Sequence, residues 1–248
     1  INDIKMISKN ELKYIQSFAH KKQWAQESVF IVEGPKLVEE LLDSDWELEA
    51  VYCLEPWLKQ WSQPMPHLTI VSEQELERIS LLQQPNQVLA IVKKKQYNAP
   101  LTFKGNLTLV LDGIQDPGNL GTIIRTFDWF GGKQIIVTED TAGLFNPKVI
   151  QSTMGSFLRV RVEVVHDIPS LLKSQNLPVY GAILKGSSIY QTTFKQEGFL
   201  IIGNESKGIR EDLISLIDHA IAIPQFGGAE SLNAAVATGI LLSHWKGQ

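Results

Sequence analysis

A chain of 248 residues with 44% apolar residues and a formal charge of −4 can form one large or two modest domains whose cores need no disulfide or metal support. The acidic balance argues, taken alone, against a nucleic-acid partner, because phosphates are bound by net positive surface. The lone Cys53 leaves no disulfide and no cysteine metal cluster, and no apolar run approaches the roughly 20 residues that cross a bilayer, so a soluble, cytoplasmic protein with no membrane partner is predicted.

Residues 8–22, SKNELKYIQSFAHKK, place Leu12, Ile15, Phe18 and Ala19 at helical spacing behind a Ser8 cap with Glu11 three residues on, which predicts one helix. Ser28 to Val32 reads as a strand, and Glu33-Gly34-Pro35 turns into a helix over Lys36 to Leu42 with proline in its first turn. Further strands are predicted at Leu48 to Leu54, Leu68 to Val71 and Val88 to Val92, with helical segments between them. About four strands alternating with helices make a small α/β domain, residues 1–95. The stretch KKKQYNAPLTFKGN, from Lys93 to Asn106, has no periodicity and is taken as a linker to a second domain, 104–248. The two basic runs, His20-Lys21-Lys22 and Lys93-Lys94-Lys95, are candidate patches or ordinary solvated faces.

Leu107 to Leu111 is an apolar strand followed at once by the loop DGIQDPGNLG, with a helix over Asn119 to Phe130. Strands at Gln134 to Thr138, Leu158 to Val165 and Val179 to Leu184 alternate with helices near Pro147 to Met154 and Pro169 to Gln175. Two further runs, Phe199 to Ile202 and Ala220 to Ile223, are short, isoleucine-rich and bounded by turn residues, as fully buried strands are. A helix over Ser231 to Trp245 follows. In an open α/β sheet, ligands bind beyond the carboxyl ends of the strands, so Gly203-Asn204-Glu205 and Pro224 to Asn233 should converge on one site.

Residue by residue these loops have ordinary readings too. Asn119 can be a helix cap, Arg125 an exposed helix arginine, Gly203 and Gly208 turn glycines, and Ser231 a cap. The chemical readings are an anion held at a helix start with an arginine beside it, glycines that let backbone approach a ligand, and Glu205 accepting from a donor. The chain carries no dinucleotide fingerprint, Walker loop, nucleophile elbow or paired-cysteine metal signature.

Taken together, DPGNLGTIIRT, IIGNESKGI and IPQFGGAESLNAAVATGI, in this order and at these intervals, resemble the three signature motifs of the SpoU/TrmH family of RNA ribose 2′-O-methyltransferases, within the SPOUT superfamily. The likeness spans roughly 104–248, and FIVEGPKLVEELL resembles the L30e-like substrate-binding domain that often precedes it. The resemblance implies a parallel sheet with a C-terminal trefoil knot, which general topology rules treat as exceptional, and a homodimer through that domain. It implies S-adenosylmethionine as methyl donor, with Leu184, Gly203, Ile223, Pro224 and Leu232 as cofactor-binding residues and no metal. It places Asn119, Arg125, Glu205, Ser231 and Asn233 at the catalytic positions. The pair Ala234-Ala235 departs from the commoner Val-Ser. RNA is the implied substrate, ribosomal rather than transfer RNA given the ribosomal-protein-like first domain. A transfer-RNA enzyme, a non-catalytic RNA-binding relative and a nucleotide-binding enzyme of small-molecule metabolism are the alternatives.

Overall fold

The computed structural model describes residues 6–61, 65 and 67–248. The chain divides into two compact units, one running to Asn98 with Phe145–Leu158 added, the other made of Ala99–Leu144 and Arg159–Gln248.

In the first unit, α1 (Lys9–Ser17) starts where Ser8 Oγ accepts from the Glu11 amide. The single helix expected over 8–22 is instead broken, and α2 (Lys21–Gln26) follows. Ile15, Phe18 and Trp24 all join one buried cluster. A straight helix would set Trp24 half a turn around from Ile15, so the break is what lets both bury. β1 (Val29–Glu33), α3 (Pro35–Leu42), β2 (Leu48–Cys53), α4 (Glu55–Leu58), β3 (Leu68–Ile70), α5 (Glu73–Ile79) and β4 (Val88–Lys93) complete the alternation. The four-stranded sheet has the order β1-β4-β2-β3. β4 is antiparallel to both neighbours, and β3 is parallel to β2.

β1 is buried along its whole length. One face meets α1 and α5, and on the other Phe30 packs on Phe145 and Phe157 at ring distances of 4.8 and 5.8 Å. Trp46 adds an edge contact to Phe157 at 5.6 Å, and Gln151 Nε2 donates to the Glu33 carbonyl at 2.8 Å. Segment 145–158 therefore belongs to this core, although the boundaries 1–95 and 104–248 read from sequence had assigned it to the second domain.

The remaining elements are β5 (Leu107–Leu111), α6 (Pro117–Trp129), β6 (Gln134–Val137), α7 (Pro147–Thr153, in the first unit), β7 (Arg161–Val164), α8 (Ile168–Gln175), β8 (Val179–Ser188), β9 (Gly198–Ile202), α9 (Glu211–Ile214), β10 (His219–Ala222) and α10 (Ala234–Lys246). Six strands form one sheet in the order β10-β8-β9-β5-β6-β7, and every pairing is parallel. An α/β architecture with a small N-terminal unit before a parallel sheet is thus as expected. β7 is shorter than the strand predicted over 158–165, because Ser156–Leu158 forms a 3₁₀ turn. β10, expected to be fully buried, lies at the sheet edge, where His219 and Ala220 are exposed and only Ile221 is fully covered. The strand order reverses between β5 and β9, the place where a parallel sheet opens a crevice for ligands.

Candidate active site

Two adjacent strands, β5 and β9, end in loops that lock together. Asp112, directly after β5, is nearly inaccessible and accepts from the Arg210 amide at 2.7 Å and from Arg210 Nε at 2.6 Å. Arg210 Nη2 also reaches Asp140 Oδ1 at 3.0 Å. A hydrogen bond from Thr138, then the Arg210 charge, holds the Asp140 carboxyl below its ordinary pKa. Asn204 closes the loop after β9: its main chain exchanges two hydrogen bonds with Gly208, at 3.0 and 2.9 Å. Its side chain donates to the Gly113 carbonyl at 2.7 Å and accepts from the amides of Ser206 and Lys207.

Gly203 opens this turn. A Cβ there would lie 2.4 Å from the Gly208 carbonyl carbon and 2.5 Å from the Ile209 nitrogen. The expectation that Gly203 is small so that backbone can approach a ligand thus changes: the space is taken by the loop's own return.

A chain of polar side chains joins this turn to the starts of two helices. The ordinary reading of Asn119, as the cap of its helix, does not hold: Asp116 takes that place and accepts from the Asn119 amide at 2.8 Å. The freed carboxamide donates through Nδ2 to Glu205 Oε1 at 2.7 Å, and its Oδ1 accepts from Asn233 Nδ2 at 2.9 Å. Asn233, not Ser231, caps α10, accepting from the amides of Ala235 and Val236 at 3.0 and 3.3 Å. Both ends of each amide are therefore committed, which fixes their orientation.

Beside this chain lies a cavity of about 670 Å³, within the ordinary size range of small-molecule sites. Leu184, Gly203, Ile223, Pro224 and Leu232 all line it, as do Glu205 and Ser231. Its floor is apolar, with Ile202, Ile221 and Leu241 buried there. Part of its wall comes from a feature that periodicity had not revealed. β8 pairs with β10 through Tyr180 and Gly181 and again through Ser187 and Ser188, leaving the intervening residues out of the ladder. Ala182 to Lys185 thereby face the cavity. Gly186 passes so close to β10 that a Cβ would sit 2.6 Å from the backbone of Ile221.

Arg125 stands apart from this cluster. It is exposed on α6, does not line the cavity, and makes no hydrogen bond or ion pair among the described residues. The Lys93-Lys94-Lys95 run is engaged locally rather than presented as a patch. Lys93 pairs with Glu47, Lys95 pairs with Asp45, and Lys94 donates to the Trp24 carbonyl at 2.7 Å while lying over the Phe145 ring. Cys53 is buried, and burial pushes its thiol up to about 11. Among the described residues there is no group of three or more histidine, cysteine or carboxylate side chains placed to hold a metal, and no helix long and apolar enough to cross a membrane. Arg210 escaped the sequence reading as a site residue, and Asn204 was placed in the site loop without a role, although an asparagine between glycine and a polar pair in GNES signals a side-chain-closed turn.

A crevice at the reversal of a parallel sheet, walled by strand-end loops and flanked by a fixed carboxamide chain, defines a ligand-binding α/β domain. Residues 106–243 match the SpoU rRNA Methylase family and residues 9–90 the MRM3-like substrate binding domain; the chain belongs to the SpoU rRNA methylase family. It is 33% identical over 232 residues to the 23S rRNA (guanosine(2553)-2'-O)-methyltransferase RlmP of Bacillus subtilis strain 168, with 92% of each chain covered. A solved structure assigned to the TrmH family of RNA methyltransferases, from Porphyromonas gingivalis, superposes with a TM-score of 0.88 at 35% identity, covering 97% of this chain and 98% of that one. The AdoMet-bound rRNA methyltransferase of Sinorhizobium meliloti superposes with a TM-score of 0.85 at 28% identity, covering 97% and 96%.

Proposed function

We propose that this protein is an S-adenosylmethionine-dependent RNA ribose 2′-O-methyltransferase acting on ribosomal RNA in the cytoplasm. The observation that carries this reading is the Asn119–Glu205–Asn233 chain beside the 670 Å³ cavity, in a chain whose full-length relatives are named as 23S rRNA 2′-O-methyltransferases. Residues up to 95 would bind the RNA, and residues 104–248 would carry the chemistry.

The cavity suits the cofactor by size and by its mixture of apolar floor and strand-end main chain. Leu184, Gly203, Ile223, Pro224 and Leu232 would hold S-adenosylmethionine, which supplies a methyl group on a positively charged sulfur. When bound, it would give that methyl to the ribose 2′-oxygen, the carbon–sulfur bond breaking as the carbon–oxygen bond forms, the sulfur leaving as a neutral thioether and the hydroxyl proton passing to solvent water. Positioning supplies much of the acceleration in such an in-line displacement. Asn119, Ser231 and Asn233 orient the ribose, and Glu205 ties the loop after β9 to α6 through Asn119. A guanidinium stays protonated at any physiological pH, so Arg125, which lies outside the cavity of its own chain, would serve as a cation for a phosphate of the bound RNA rather than as a base.

We further infer a homodimer through the outer face of α6 and α10. It is supported by Trp129, Val236 and Tyr190, which are 85%, 53% and 63% exposed, on or beside two helices that pack on each other. The trefoil knot implied by the family likeness would lie between β8 and α10, a reading supported by the close passage of Gly186 across Ala220 and Ile221. Incubating the protein with labelled S-adenosylmethionine and unmodified 23S rRNA, then mapping the labelled nucleotide, tests the activity; absence of ribose label would refute it.

A further inference from the structure

Phe226 is the most exposed large apolar side chain among the described residues, at 92% of its full surface, yet it belongs to the loop that walls the cavity. An aromatic ring left in water next to a binding site is an unused contact surface. The loop that carries it is preformed: Gln225 Nε2 donates to the carbonyls of Gly227 and Ala229 at 2.9 and 2.7 Å, and Pro224 stiffens the approach. The ring is thus held outward by a closed turn, between cofactor-wall residues Ile223 and Pro224 on one side and Ser231 and Asn233 on the other.

Resting on the functional reading above, we propose that Phe226 is a substrate-binding residue on which an RNA base adjoining the reacting ribose stacks. RNA enzymes read unpaired bases by stacking them on aromatic rings. Phe226 borders the cavity, but its ring keeps 92% of its surface free, more than the bordering Leu184 and Leu232 at 76% and 44%, so most of it is left for a group arriving from outside the cavity, as the RNA does. A second copy of the chain is disfavoured by the surroundings. Gln225, Gly227, Gly228, Ala229 and Glu230 are all exposed and polar or small, so along its own loop the ring has no large apolar neighbour, whereas protein interfaces use contiguous apolar patches.

The test compares Phe226→Ala, Phe226→Leu, Phe226→Tyr and Phe226→Trp in the full-length protein, using methyl transfer to 23S rRNA, calorimetry with S-adenosylmethionine, and light scattering. Loss of one base–aromatic stack should raise the KM for RNA about tenfold or more in the alanine variant. The leucine variant should behave like alanine, and the tyrosine and tryptophan variants like wild type. The kcat at saturating RNA, the cofactor Kd and the molecular mass should stay unchanged throughout. An unchanged KM in Phe226→Ala overturns the inference alone, as does a leucine variant that works as well as tyrosine. Weakened cofactor binding would make Phe226 a lid on the cavity, and a changed mass would make it an interface residue; either result overturns it. If the wild-type protein transfers no methyl group to RNA, the functional reading falls and this inference with it.

Discussion

Asn233 does two jobs with one carboxamide, and they separate by substitution. Its Oδ1 caps α10 and its Nδ2 holds Asn119. Asn233→Ala removes both. Loss of the cap costs about 1 kcal/mol, and loss of a hydrogen bond as exposed as that to Asn119 costs about 0.5 kcal/mol or a little more. For a protein of this size, a total of about 1.5–2 kcal/mol lowers the unfolding midpoint by roughly 3–8 °C. Asn233→Asp keeps the capping oxygens and adds a negative charge at a helix start, favourable by about 0.3–1 kcal/mol, which offsets the lost bond to Asn119, so its midpoint should stay close to wild type. It cannot donate to Asn119, however. Turning the Asn119 amide to meet the new carboxylate would point its oxygen at Glu205 Oε1, so one acceptor–acceptor contact remains in either orientation. Both variants should therefore lose at least tenfold in single-turnover methyl transfer, while only the alanine variant melts early. An aspartate variant with wild-type turnover would show that Asn233 matters only as a cap, and the oriented chain would lose its functional role.

Arg125→Ala should leave stability within about 0.5 kcal/mol, as expected for an exposed side chain, and cofactor affinity within about twofold, yet abolish transfer. Arg125→Lys should fail as well, since an ammonium cannot reproduce the planar fork; near wild-type turnover in either variant removes Arg125 from the mechanism. Gly203→Ala must displace the Gly208–Ile209 backbone, so stability should fall by about 1–3 kcal/mol together with cofactor affinity, and an unchanged calorimetric Kd would refute the account of that turn. Burial pushes the Glu33 carboxyl above its ordinary value of 4.5 despite hydrogen bonds from Ser80 and Leu81. Its protonated form is favoured in the folded chain. Stability is therefore complete below the ordinary value and declines as pH rises through the raised one. Glu33→Gln keeps a carbonyl acceptor and should remove that decline; identical pH slopes in melts of the two proteins would count against it.

Much of the fold was legible because the chain's strands are short branched runs punctuated by turn residues. Leu107–Leu111 and Gly198–Ile202 are buried throughout and were readable as such. What escaped depends on partners remote in sequence. Nothing local in 8–22 signals that Trp24 must reach the same cluster as Ile15 and Phe18. Nothing in 145–158 signals that Phe145 and Phe157 close over Phe30. Ala220–Ile223 has the composition of an inner strand, yet edge position is a property of sheet order, which hydrophobicity does not encode.

At the site the loops were legible, but the division of labour inside them was not. Asn119 looked like a cap because asparagine before an apolar helix usually is one; Asp116 competes for the same role three residues earlier and wins it, releasing Asn119 for Glu205. The bonds that assemble the cavity all span long stretches of chain: Asn204 to Gly113 across 91 residues, Arg210 to Asp112 across 98, Asn119 to Glu205 across 86 and Asn233 to Asn119 across 114. The first three need β5 and β9 side by side and the fourth needs α10 against α6, and together they join the loops after β5 and β9 to the starts of α6 and α10. The binding site is consequently a product of the whole parallel sheet rather than of any one motif. A ligand that binds only this assembled state stabilises it by RT ln(1 + [L]/Kd), or about 2.7 kcal/mol at a hundredfold excess over Kd. Cofactor occupancy and unfolding of the second unit should therefore move together, and a variant that opens one of these four links should weaken both.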